Sequence, residues 1–102
     1  MNVRCAPLAA PMDRRNRARE LILAALSEVE SERRAPRYQL CPDQLDTCLS
    51  TLREYLGALD RGELPPRRQR AEGLGRLVLD SWPYDVPLAQ AVLQAERAWR
   101  NA

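Results

Sequence analysis

The strongest constraint on this chain is the spacing of its apolar residues, which recur at i, i+3, i+4 and i+7 in four blocks separated by Pro and Gly. That spacing draws one stripe along a helix. Ala18, Leu21, Ile22, Ala25, Leu26 and Val29 form the first stripe, within a segment from about Asp13 to Arg34 that closes before Ala35-Pro36. Leu45, Cys48, Leu49, Leu52, Leu56 and Leu59 form the second, between Pro42 and Arg61. Here Pro42 suits a first helical position, Asp43 and Asp46 suit a first turn, and Gly62 suits a left-handed C-terminal cap.

The third segment opens at Pro65-Pro66 and runs to about Ser81, with Ala71, Leu74, Leu77 and Val78 in register. Gly73 and Gly75 interrupt it, each costing up to about 1 kcal/mol in a helix interior. Either the helix starts later or a large neighbour packs against them. The fourth runs from Pro87 to about Arg100 on Leu88, Ala91, Val92, Ala95 and Trp99, with Asp85 as candidate cap. No block alternates with period two, so the fold class is all-α. Short connections favour antiparallel neighbours and an up-down-up-down four-helix bundle, with a three-helix core as the alternative. At 102 residues and 45% hydrophobic content, the chain fits one domain. We assign residues 13–102 to it and residues 1–12 to a flexible N-terminal tail.

In that tail Pro7 and Pro11 interrupt an apolar stretch too short for a signal peptide. No segment approaches the about 18 apolar residues of a membrane span. Three cysteines, an odd number, fit a reducing compartment. The expected location is therefore cytoplasmic, without a membrane partner. Cys48 reads as core, and Cys5 as the more reactive thiol.

The chain has no His, which removes the commonest general base and metal ligand. Ser27, Ser31, Ser50 and Ser81 lack an evident base. Gly73-Leu74-Gly75 lacks the strand and the GK[ST] of a phosphate loop. Glu28 and Glu32 lack the His that di-metal carboxylate bundles require. The chain reads as non-enzymatic, with no cofactor and no metal.

All 16 basic residues are Arg, set against 14 acids. In an up-down-up-down bundle one end collects Arg14, Arg15, Arg17, Arg19, Arg61, Arg67, Arg68, Arg70, Arg97 and Arg100 against Asp13, Glu20, Asp60, Glu63, Glu72 and Glu96, for +4. The opposite end is −4 and the remainder +2. Cations at the starts of helices 1 and 3 oppose the helix dipole, and local rules broken together often mark a site.

The expected function is a small protein-binding module, an adaptor, inhibitor or immunity-type regulator, holding an acidic partner through Arg14, Arg15, Arg17, Arg19, Arg67, Arg68 and Arg70. Trp82 and Tyr84 offer a second contact, because Trp and Tyr are enriched in interface hot spots. The alternatives are that Arg usage is compositional, and that Trp82 anchors a corner over Gly73 or Gly75. Phosphate or nucleic-acid binding through the same arginines is the runner-up, weakened by the interleaved acids and the absence of a recognisable motif. Leu23, Leu79 and Leu93 lie off the main stripes and would be buried in a homodimer.

Overall fold

The computed structural model describes the backbone of residues 6–66, 73–83 and 85–102, and the side chains of these except 6–12, 73, 79 and 80. Four helices follow in order: α1 (Ala6–Arg34), α2 (Pro42–Arg61), α3 (Gly73–Ser81) and α4 (Pro87–Asn101). No strand occurs among the described residues.

The directions of the helices follow from their contacts. Arg19 pairs with Asp60 and Arg33 with Asp46, so α1 and α2 run antiparallel. Trp82, just after α3, bonds Gln44 near the start of α2, whereas Leu74 and Gly75 at the start of α3 bond Glu96 late in α4. Each helix therefore reverses the one before, as the short connections predict. α1 is the spine and packs along both α2 and α4, while α3 rests on α4 and touches α2 more lightly. At about 1.5 Å per residue the 29 residues of α1 account for most of the molecule's 51 Å length.

The core is the union of the four stripes: Ile22, Leu45, Leu52, Leu74, Leu88 and Val92 are among its fully enclosed side chains. Cys48 and Trp99 lie in it as expected. At roughly 1.5 to 3 kcal/mol for each buried large aliphatic side chain, this interior is the main source of stability.

Helix ends differ from the sequence reading in instructive ways. α1 is described from Ala6, and so takes in residues 6–12 that were expected to form a tail. Ala, which stands at positions 6, 9 and 10, is the best helix former. α4 is capped at Val86 without a side-chain bond, so Asp85 is not its cap. α3 is described from Gly73, so both glycines belong to the helix.

Gly62 closes α2 as predicted, at φ 70°. Its N–H donates to the Leu59 carbonyl at 3.2 Å, and that of Glu63 to the Ala58 carbonyl at 3.0 Å, the double bond of a Schellman ending. A Cβ at Gly62 would meet nothing within 4 Å, so the constraint there is purely the backbone. Gly62→Ala is expected to lose about 1 kcal/mol and Gly62→Asn less, because a side chain disfavours the left-handed region and Asn tolerates it best. Urea midpoints of the three proteins check this ordering.

Candidate functional site

Asp13, Arg14, Arg15, Asn16 and Arg17 are all exposed. Five successive residues cover every direction around a helix, so α1 has no buried face over 13–17, and Ala18 is the next residue and is buried. Among the described residues Arg14, Arg15 and Arg17 have no ion pair.

One turn further on, α1 meets the end of α2 across a cleft of about 340 Å³. Arg15, Asn16 and Arg19 line it from α1; Leu59, Asp60, Arg61 and Gly62 line it from α2. Arg15 and Arg19 are four residues apart, hence on the same helical face. Arg19 Nε donates to Asp60 Oδ1 at 2.9 Å, with both side chains about half exposed. Arg61 folds back over Gly57, where a Cβ would lie 3.0 Å from its Nη1, and its Nε donates to Glu63 Oε1 at 2.8 Å. Exposed pairs of this kind contribute about 0 to 1 kcal/mol, so both are readily exchanged.

The far end also holds two ion pairs among the described residues. Arg33 pairs with Asp46 at 3.0 Å and Arg53 with Glu30 at 3.1 Å, and the Arg37 guanidinium lies 5.5 Å from the Tyr38 ring centre. The hydrogen bond and charge of Asp46 raise the Arg33 pKa further above its ordinary value.

The expected +4 end is therefore modified. Its described part holds seven arginines against five acids. One of the five, Glu96, is buried rather than displayed. Arg67, Arg68, Arg70 and Tyr84 lie outside the described residues, as does Cys5. Trp82 is buried, and its Nε1 donates to Gln44 Oε1 at 3.0 Å. It pins the α3–α4 corner to α2 instead of offering its ring to a partner. It does not explain Gly75, whose absent Cβ would face Glu96 Oε1 at 2.9 Å.

Glu96 and Glu32 are the two residues whose roles the sequence reading missed. Glu96 Oε2 accepts the Tyr55 hydroxyl at 2.9 Å and the Leu74 N–H at 3.0 Å, while Oε1 accepts the Gly75 N–H at 2.8 Å. The Tyr55 ring stacks on Trp99 at 4.5 Å. Burial, together with the nearby Glu96 charge, pushes the Cys48 thiol up to about 12 and raises the Tyr55 hydroxyl as well. Both stay protonated, and a thiol without its thiolate is a poor nucleophile. This cluster clasps three helices together.

Glu32, fully buried, accepts the N–H groups of Arg37 at 2.9 Å and Tyr38 at 3.0 Å in the α1–α2 loop. Gln39 takes φ 57°, a left-handed turn of the kind that lets successive N–H groups converge on an anion. The available signal for both acids was their register: Glu32 continues Ala25 and Val29, and Glu96 continues Leu88 and Val92.

Among the described residues no group of three or more His, Cys, Asp or Glu could hold a metal, and no helix is long and apolar enough to cross a membrane. Fold and surface together describe an all-α, four-helix domain with an arginine-rich end. Compared with known proteins, the chain matches no family model and no curated sequence.

Proposed function

We propose that the chain is a small cytoplasmic binding module, acting as an adaptor, inhibitor or immunity-type regulator, whose arginine-rich end holds an acidic surface of a protein partner. The observation that carries this reading is the run from Asp13 to Arg17, exposed on every face and bearing three arginines without ion pairs among the described residues. A stretch that contributes nothing to the core and places like charges together is difficult to explain by folding alone. Arg suits the task because its planar fork grips carboxylates in two places.

In this reading the module binds its partner without transforming it, which fits a Cys48 thiol and a Tyr55 phenol that burial keeps protonated. Nucleic acid fits less well: Asp13, Glu20, Asp60 and Glu63 are interspersed among the arginines and would repel a phosphate backbone. A homodimer through off-stripe leucines is no part of the proposal: the Leu79 side chain lies outside those described, Leu93 packs against the core, and Leu23 stands alone as the exposed large apolar residue among those described.

The test is charge reversal where no fold contact is lost, Arg14→Glu, Arg15→Glu and Arg17→Glu together. Immobilised wild-type protein is expected to retain proteins with acidic surfaces at about 50 mM salt and release them as salt screens the contact, whereas the variant retains none. Equal capture by both, or nuclease-sensitive material as the main ligand, would sink the reading.

A further inference from the structure

We propose that the cleft between α1 and the end of α2 is a carboxylate receptor, taking a Glu or Asp side chain from an acidic segment of the partner in competition with the chain's own Asp60. The inference rests on the reading above and gives it a specific seat.

Three arginines, Arg15, Arg19 and Arg61, line the cleft against one acid, Asp60. Asp60 shows by its position what the seat accepts, a carboxylate oxygen 2.9 Å from Arg19 Nε. That bond uses one of the five donors a guanidinium carries, and the other edge of the fork remains for an incoming carboxylate. Arg15, one turn back on the same face, has no ion pair among the described residues and supplies the second cation. Arg61 is held by an exposed acid, Glu63, and is free to trade it.

Size and lining favour a peptide over a nucleic acid. About 340 Å³ accommodates an acidic side chain with its flanking groups, whereas phosphate-driven binding runs along several phosphates. Leu59, in the wall, gives the aliphatic part of a Glu or a neighbouring apolar side chain something to pack on. Asp60 meanwhile suppresses weak anions, since a ligand must offer more than the carboxylate already present.

Fluorescence anisotropy with a labelled Glu- and Leu-rich peptide at about 50 mM salt, where screening is weak, tests the seat. Arg15→Glu with Arg19→Glu is expected to weaken binding by at least about tenfold, the range seen when close charge pairs are lost from an interface. Asp60→Asn should strengthen binding several-fold. Arg14→Glu with Arg17→Glu, the same charge change on the basic run but outside the cleft, should also weaken binding, by only about two- to threefold, because it acts through screened, longer-range attraction. Circular dichroism confirms that each variant is folded.

Equal losses in the two double variants would overturn the cleft while leaving the basic end as the binding surface. Weaker binding by Asp60→Asn would overturn it as well. A single-stranded oligonucleotide of equal charge that binds more tightly than the peptide, or no peptide binding by the wild type, overturns both the seat and the reading beneath it.

Discussion

Glu96→Ala is expected to lose about 3 to 5 kcal/mol, more than any other single substitution considered for this chain. It orphans the Tyr55 hydroxyl and the N–H groups of Leu74 and Gly75 at once. A buried donor left without its acceptor costs about 1 to 3 kcal/mol. The three do not add in full, because water enters the space and α3 shifts. Against the 5 to 15 kcal/mol typical of a whole domain, the loss brings the fold near its threshold.

It should also be local at first. The described part of α3 has nine residues, short for a helix without tertiary support, so it depends on its anchors. Those are Glu96 at its start, the Trp82–Gln44 bond at its end, and Leu74 and Val78 between. Hydrogen exchange in Glu96→Ala should therefore rise over residues 74–81 well before it rises in α1, α2 or α4. Uniform acceleration across all four helices would show that Glu96 supports the whole core and not this helix.

The same contact explains Gly75. A methyl group there would stand 2.9 Å from Glu96 Oε1, and the carboxylate could retreat only by breaking its bonds. Gly75→Ala should cost about 1 to 3 kcal/mol, as overpacking does. With Glu96 already replaced by Ala the space is open, and the cost should vanish or reverse, since Ala orders the unfolded chain less expensively than Gly. A coupling above about 1 kcal/mol in that double-mutant cycle is the expected signature of two groups in contact.

What was legible in the chain, and what was not, divides along the reach of the interaction. The stripe from Leu45 to Leu59 and the cap at Gly62 are local matters of period and backbone preference, and both appear where the spacing puts them. The clustering of Arg14, Arg15, Arg17 and Arg19 was equally local. The cleft was not, because it needs the α1–α2 register that sets Arg19 opposite Asp60, 41 residues away. Glu32 and Glu96 look like surface acids by type. Apart from the Tyr55 hydroxyl on Glu96, their partners are backbone groups of residues 37–38 and 74–75, which carry no side-chain signal. An acid standing in an apolar stripe is the trace such a contact leaves, and it is readable only as a question about which N–H groups arrive there.

Glu32 carries the second large effect, and it depends on pH. Burial opposes the charge of its carboxylate, yet the N–H groups of Arg37, Tyr38, Leu40 and Gln39 outweigh this and hold its pKa below the ordinary 4.5. A carboxyl with a lowered folded-state value contributes stability that is complete above the unfolded value and disappears as pH falls through the folded one. The wild type should accordingly weaken below about pH 4.5. Glu32→Gln keeps one acceptor but turns an NH₂ toward backbone N–H groups, costing about 2 to 3 kcal/mol at neutral pH. Because the wild type loses the same charge in acid, the two urea midpoints should converge as pH falls below the ordinary carboxylate value of 4.5, and parallel curves would reject the role. The consequence reaches the far end of the molecule. The loop that Glu32 gathers sets where α2 turns back along α1, and that register places Asp60 and Arg61 across from Arg15 and Arg19. Glu32→Gln should thus also weaken binding of the acidic peptide at neutral pH, although Glu32 lies at the opposite end of α1 from the cleft.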